Sequence, residues 1–356
     1  MPKLSLPVRL ALLVAGTTLP LIIFAAVIVF NNYEQDRKDA SRRVLETARS
    51  IRLVLDAEIQ RMTGGLQVLA LTDTLRNGDF ESFRSIASGF LDQYGREGVL
   101  LVADREGRQL FSSATPDSTN LPMRSNREIV EKVFATKTPH YSNLRIGAVK
   151  MRPVVTVEVP VLRDGNVLYD VSFGPPLEIF QVIIEKQRPS KDWTISIFDG
   201  ERINFARVPN PEDTIGKQAS PLLYAEMLRR REATLPTVSL EGTPLITTFV
   251  RSSLTDWTVA AGIAESSLVS PLWRNLAITS LIGGVLLLTG LAFAVRMATT
   301  IARGEALHNL LIDELNHRVK NTLAILQAIR GADVSERERG RTREIRGPAR
   351  RAGGGA

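Results

Sequence analysis

Residues 152–174 read RPVVTVEVPVLRDGNVLYDVSFG. Two valine-rich runs, 152–162 and 167–174, flank Arg163-Asp164-Gly165-Asn166, and the glycine supplies the positive φ that a tight hairpin turn requires. Pro175-Pro176 ends the second run, because proline has no N–H to give to a strand ladder. The stretch predicts an antiparallel hairpin. Asp170 breaks an otherwise apolar strand. It has two readings: the solvent face of a half-exposed sheet, or one of the few polar groups that orient a ligand among apolar walls.

The same pattern extends to either side. Residues 99–103 and 108–112 predict strands around Asp104-Arg105-Glu106-Gly107, and Asn126 is a plausible N-cap for a helix running to Ala135. A second block repeats this order. Residues 193–199 and 202–206 pair around Asp199-Gly200-Glu201, residues 221–231 are helical, residues 233–239 and 245–250 form a hairpin over Glu241-Gly242, and residues 258–263 close it. The chain therefore carries an internal repeat of a sheet with flanking helices. Upstream, Val44, Ala48, Ile51, Leu55, Ile59, Met62, Leu66 and Leu69 recur at steps of four and three, which makes a long helix with one apolar seam. The seam fits packing within its own domain or against the same helix of a partner. Gly64-Gly65 is expected to loosen it, and residues 80–94 form another helix.

Two apolar runs bracket this region. Residues 10–30 contain no charge, and about 21 residues at 1.5 Å each span roughly 30 Å of hydrocarbon. Residues 276–295 do the same between Arg274 and Arg296. The first run is longer than a signal-peptide core, and no small-x-small cleavage site follows it. Lys3 and Arg9 before the first span, and Arg296 and Arg303 after the second, place both termini in the cytoplasm and the intervening residues outside. The expectation is a two-pass membrane protein whose intervening residues lie outside, in the periplasm if the envelope has two membranes.

Composition narrows the chemistry. With 356 residues, 44% hydrophobic and 23% charged, the chain has material for two or three folded modules. It has no cysteine and only His140, His308 and His317, so a disulfide scaffold or a thiolate metal site is excluded and a histidine metal cluster is not expected. Of the net charge of +7, the stretch from Arg330 onward contributes +4, eight arginines less four acids. No basic surface with interleaved aromatics remains to suggest nucleic acid.

A long membrane-exit helix feeding two such modules between two spans resembles the double Cache sensors, over roughly residues 33–263, on layout more than on any signature string. The resemblance implies an α+β fold: a two-span membrane protein with a tandem PAS-like (double Cache) extracytoplasmic domain, followed by a cytoplasmic helical segment. It also implies a small ligand in the membrane-distal module, residues 80–175, with residues 176–270 as the proximal one. Arg124, Tyr141, Arg145, Tyr169 and Asp170 are the candidate ligand contacts. The arginine and aromatic spacing of amino-acid-binding members is not evident, so the ligand's class stays open.

The cytoplasmic stretch 310–329 reads LLIDELNHRVKNTLAILQAI. On a helix, Leu311, Leu315, Val319, Thr322, Leu326 and Ile329 share one face, with His317 opposite and Asp313 and Asn321 on the histidine's side. A solvent-facing imidazole with a carboxylate, Asp313 or Glu314, to hold one ring N–H is arranged as a phosphoryl nucleophile, although an isolated helical histidine is more often merely solvated. The run ELNHRVKNTLA, residues 314–324, closely resembles the phosphoacceptor box of the HWE group of sensor histidine kinases. That resemblance implies that His317 takes the γ-phosphoryl of ATP and passes it to a response-regulator aspartate, that Glu314, Arg318, Lys320 and Asn321 belong to the box, and that the helix forms a homodimeric hairpin.

About 21 residues separate Arg296 from His317, too few for another sensor domain, so a near-continuous helix would hold His317 roughly 30 Å below the membrane. After Ile329 the sequence becomes Arg- and Gly-rich, and residues 331–356 are expected to be a disordered tail. ATP with Mg is the family's cofactor, yet no Asp-x-Gly-x-Gly string follows His317, and Trp193, Trp257 and Trp273 all precede the second span. The expectation is a kinase truncated before its ATP-binding domain. A non-catalytic receptor or phosphoacceptor partner of a complete kinase is the alternative. A chemoreceptor-like transducer ranks below both, because the long cytoplasmic heptad hairpin is missing.

Overall fold

The computed structural model describes residues 5–115 and 120–344, with side-chain surroundings for all of these except residue 6 and residues 327–344. The chain divides into two compact units, Ile28–Leu276, and Met1–Val27 with Ala277–Ala356.

In the larger unit, the predicted seam lies on α1 (Leu6–Ala70), and all eight of its residues from Val44 to Leu69 are buried. They pack within their own chain, against a core built from both sheets. Gly64-Gly65 does not loosen the helix, which runs through both. A Cβ at Gly65 would come within 2.5 Å of the Tyr94 hydroxyl, whereas one at Gly64 would meet nothing. Gly65 thus admits the Phe90–Tyr94 stack, whose rings lie 4.3 Å apart on α3 (Phe80–Tyr94). A short helix, α2 (Asp73–Arg76), precedes α3.

The distal module is an antiparallel sheet of β1 (Val99–Ala103), β2 (Gln109–Ser112), β3 (His140–Tyr141), β6 (Val157–Arg163) and β7 (Asn166–Gly174), in the order β2-β1-β7-β6-β3. A separate pair, β4 (Arg145–Ile146) and β5 (Pro153–Val154), forms a small hairpin between β3 and β6. The expected β6–β7 turn is present: Arg163 pairs with Asn166, and Asp164 and Gly165 have φ of 52° and 77°. The helix α4 (Arg127–Thr136) begins after Asn126, whose side chain makes no capping bond.

The proximal module repeats the plan. Its strands β8 (Trp193–Phe198), β9 (Asn204–Val208), β10 (Glu232–Val238), β11 (Pro244–Arg251) and β12 (Thr258–Ala264) lie in the order β10-β11-β12-β8-β9, the distal order read from the other edge. Helices α5 (Glu178–Gln187) and α6 (Pro221–Arg229) flank this sheet. At the β8–β9 turn the positive φ falls on Arg202, at 67°, not on Gly200. Gly200 serves a different purpose, since a Cβ there would lie 2.8 Å from Asn143 Oδ1.

In the smaller unit, α1 and α7 (Glu265–Glu344) supply helices long and apolar enough to cross a membrane. Within that unit Gly283 lets the backbone of α7 approach Ile22, which a Cβ would meet at 2.7 Å. The expected disordered tail is corrected in part: the backbone is helical to Glu344, and residues 345–356 lie outside the described residues. Helical hydrogen bonds close locally between residues four apart and need no core, and the absence of apolar periodicity is a poor guide to them.

Candidate ligand-binding site

Strand alternation gives the distal sheet two unlike faces. Leu100, Val102, Val157, Val159, Val161, Val171 and Phe173 point into the core shared with α1 and α3. The other face carries Glu158, Asp170 and Ser172, all fully buried. α4 covers it with Ile129, Val130 and Val133, and Arg124, just before α4, reaches under the cover at 6% exposure. Its guanidinium bonds Ser172 Oγ and makes a 2.5 Å ion pair with Glu158 Oε1, which also accepts from Thr156 Oγ1.

Two carboxyls and one guanidinium in so dry a place would leave a net negative charge, which is costly to bury. Burial, then the neighbouring Glu158 charge, push the Asp170 carboxyl well above its usual range, with Arg124 opposing. The protonated form of Asp170 is thereby favoured, and neither of its oxygens, nor the second oxygen of Glu158, has a hydrogen-bond partner among the described residues. Burial disfavours the Arg124 cation, but Glu158 and Asp170 outweigh it and its pKa is raised. His140, paired across the ladder with Glu158, is depressed by burial and by Lys132, and its Nε2 lies 2.6 Å from Thr136 Oγ1.

The five candidate contacts separate accordingly. Arg124 and Asp170 belong to the buried cluster, so Asp170 is not on a solvent face. Arg145 lines a cavity of about 40 Å³ beside Arg124, Gln109, Ser142 and Thr156, and its guanidinium pairs with Glu201 at 2.6 Å. Tyr141 and Tyr169 lie apart from this cluster, on the other side of the sheet. Tyr141 stands opposite Val157 on the core face, its hydroxyl 3.5 Å from Thr63 of α1, and Tyr169 stands opposite Val161 with its ring 5.7 Å from Phe80. Alternation gives the reason: a residue one step along the strand from a pocket residue faces the other way. Glu158 and Ser172 went unnoticed in the sequence, although Glu158 interrupts a run of valines just as Asp170 does.

On the corresponding face of the proximal sheet, Arg207 is buried beside Ser196 and ion-paired with Glu241 at 2.6 Å, but among the described residues no fully buried carboxyl stands there, and the rest of the space is apolar. Phe198, Phe249 and Ala260 pack there against Leu223 and Met227 of α6.

The edge of the distal site is fastened to the proximal module by residues 142–145. Ser142 exchanges backbone and hydroxyl bonds with Thr156, and its carbonyl accepts from the buried Trp257 indole at 3.2 Å. Leu144 N–H donates to Asp199 Oδ2 at 2.8 Å, and Asn143 Oδ1 accepts from Gly200 N–H at 3.0 Å. Asp199 is fully buried; burial raises its pKa against three backbone donors, Ile203, Leu144 and Glu201, that lower it.

On α7, Asp313, Glu314, His317 and Asn321 are all exposed. Glu314 is engaged by Arg318 at 2.9 Å, and among the described residues no hydrogen bond reaches His317. The apolar stripe opposite it is bare, with Leu311, Leu315, Val319 and Leu326 each about half exposed or more.

No family model matches the chain, and no curated protein does. Among solved structures the chain is similar to Methyl-accepting Chemotaxis protein X, with a TM-score of 0.51 and 10% identity over 65% of this chain and 100% of that one. It is similar also to the extracellular domain of the histidine-kinase sequence mmHK1S-Z3, with a TM-score of 0.50 and 10% identity over 67% and 97%. An extracellular ligand binding receptor from Desulfohalobium retbaense has a TM-score of 0.49 and 16% identity over 62% of this chain, which spans 40% of that receptor. The fold is a Cache-like sensor fold, two PAS-like modules on one long helix, with a long apolar helix at either end.

Proposed function

We propose that the chain is a membrane sensor of a bacterial two-component system: its distal module binds a small ligand outside the cell, both termini lie in the cytoplasm, and His317 accepts a phosphoryl group destined for a response-regulator aspartate. The observation that carries the sensing half is the asymmetry of the two modules. One backbone plan occurs twice, and on the face away from α1 both copies bury an arginine bonded to a serine, yet among the described residues the distal copy adds two fully buried carboxyls, Glu158 and Asp170, where the proximal one has Phe198 and Phe249 and pairs Arg207 with the half-exposed Glu241. Buried polar groups of this kind cost stability unless they are used, and functional sites are where such costs persist.

The signalling half rests on the HWE-type box at residues 314–324 and on the geometry of α7. The His317 imidazole is open to an incoming phosphate on one side of the helix, while the bare leucine stripe on the other suits a second copy of the hairpin. Asp313, four residues away and not engaged by Arg318, is the better placed carboxylate to steady the imidazole's other N–H. ATP and Mg would be held by an ATP-binding domain, which the residues described here do not supply.

The test is phosphotransfer in nanodiscs. The full chain is incubated with labelled ATP alone, and then with a separately supplied HWE-type ATP-binding domain. Acid-labile label that requires the added domain and vanishes in His317→Ala supports phosphoacceptance in trans. Label without the added domain makes the chain its own kinase. Label that survives His317→Ala refutes the assignment.

A further inference from the structure

The strand orders of the two modules match position by position, so β3 corresponds to β10, β6 to β11 and β2 to β9. The links that follow β3 and β10 do not match. Residues 142–156 join β3 to β6, whereas only residues 239–243 join β10 to β11. The short link is a preformed turn: Ser239 Oγ accepts from the N–H groups of Glu241 and Thr243, both at 3.2 Å, and Gly242 takes a φ of 87°. It presents Glu241. The carboxylate reaches Arg207 of β9, the strand at the opposite edge of the sheet, and both of its oxygens lie within 2.9 Å of the same guanidinium nitrogen.

The two partners are unequally held. Arg207 is 4% exposed, its Nη1 lies 3.3 Å from Ser196 Oγ, and its Nε is buried without a partner. Glu241 keeps 37% of its side chain exposed, on a turn outside the strands. In the distal module the relation is reversed: Arg124 enters from the segment before α4, and its carboxylate, Glu158, is fixed within β6 and fully buried. A buried guanidinium has to be answered by an anion, and among the described residues no strand carboxyl on this face of the proximal sheet supplies one. The carboxylate that does so comes in from the turn, charged end first, as a bound ligand would. About 30 Å³ stays open beside it, among Arg207, Ser196 and Leu223, which is room for about one water. The place is full.

We propose that Glu241 is a tethered ligand: the proximal module has an anion site at Arg207 and Ser196, and the chain fills that site with a carboxylate of its own. Occupied in this way, the site clasps the β10–β11 turn to the far edge of the sheet and is closed to any anion from outside. The proposal goes beyond the reading of the chain as a sensor and does not depend on it.

The experiment is chemical complementation of the full chain in nanodiscs, read as Tm by the fluorescence of the buried Trp193 and Trp257. Glu241→Ala empties the site and should melt several degrees below the parent. Sodium acetate should then raise its Tm along a saturating curve, by about 3–6 °C at ten times the half-saturating concentration and beyond any change in the parent. Sodium chloride at equal ionic strength should not. Glu241→Gln keeps the site full without the charge and should not respond to acetate, and Arg207→Met/Glu241→Ala, which removes the site, should not respond either. Should the alanine variant fail to fold, Glu241→Ser, which admits water, is expected to show the same acetate response. A Glu241→Ala chain as stable as the parent, an acetate effect no larger than that of chloride or equal in the parent, or one kept in full by Glu241→Gln or by Arg207→Met/Glu241→Ala, overturns the proposal.

Discussion

Asp199→Asn separates a mechanical link from a decorative one. The Asp199 carboxylate serves two masters: Oδ1 accepts from Glu201 N–H at 2.9 Å and Ile203 N–H at 2.8 Å within its own turn, and Oδ2 accepts from Leu144 N–H at 2.8 Å across the module junction. An asparagine can satisfy only one side. With its oxygen toward the turn, its NH2 faces the Leu144 N–H; flipped, it faces two amide donors. A bond to a charged acceptor contributes about 1.5–3 kcal/mol, and a buried N–H left without a partner costs about 1–3 kcal/mol. The carboxylate itself is held at a cost, because burial raises its pKa, and the neutral amide escapes that cost. The net expectation is a loss of about 2–3 kcal/mol, or roughly 4–12 °C in Tm at two to four degrees per kcal/mol for a domain of this size. Thermal unfolding followed by tryptophan fluorescence reads it directly, since Trp193 and Trp257 are buried in the proximal module. A Tm within about 1 °C of the parent would mean that the Leu144–Asp199 bond holds nothing together, and the strap at residues 142–145 would lose its meaning.

Three further outcomes follow from the site and the core. Burial raises the Asp170 pKa above the ordinary value of 3.8, so its contribution to stability falls as pH rises from about that value through the folded pKa; Asp170→Asn should therefore gain stability relative to the parent as pH rises, and a Tm difference that stays flat from pH 4 to 8 would refute the raised pKa. Arg124→Met leaves Glu158 charged and unpaired and should cost about 3–5 kcal/mol, whereas Arg124→Met/Glu158→Met should recover most of it; denaturant titration that finds the double variant as unstable as the single one would disprove the pairing. Gly64→Ala should stabilise by about 0.5–1 kcal/mol through helix propensity, while Gly65→Ala should destabilise by about 1–2 kcal/mol after overpacking is set against the same gain. Equal effects at the two glycines would show that the Tyr94 contact at Gly65 is unimportant.

The elements that sequence describes well here are those set by local chemistry and period. The α1 seam is buried at every named position, and most of the predicted strands begin and end within two residues of the expected bounds, but the run 152–162 splits into β5 and β6, and β3 and β4 were not foreseen, because both are two-residue strands too short to show a period. The internal repeat emerges as one strand order met twice. What escaped was orientation across the sheet. Tyr141 and Tyr169 were chosen by residue type, and their parity along β3 and β7 sends them to the core side. Glu158 was legible by the rule that picked Asp170, since both sit out of phase with valines that face α1. Residues 142–145 gave no signal at all. Their role depends on bonds to Asp199, Gly200 and Trp257, 55 to 115 residues away along the chain, which no local pattern encodes.

Those same residues tie the two copies of one backbone plan together. Residues 142–156 run along the edge of the distal sheet, and Ser142 and Thr156 border the cavity beside Arg124. Their two ends are fixed differently. At one end Thr156 belongs to the buried network through Glu158, and at the other Ser142 to Arg145 belong to the proximal module through Trp257, Asp199 and Glu201. If the distal module binds a ligand as proposed, a displacement of the hairpin between them would load these buried, directional bonds. One of them ends on Trp257, which sits edge-on to Phe205 at 4.8 Å and Phe180 at 5.8 Å in the proximal core. It lies one residue before β12, the strand that leads into α7. A closely packed aromatic cluster leaves little space to absorb such a displacement, so on the proposed sensing role it would pass it on toward α7.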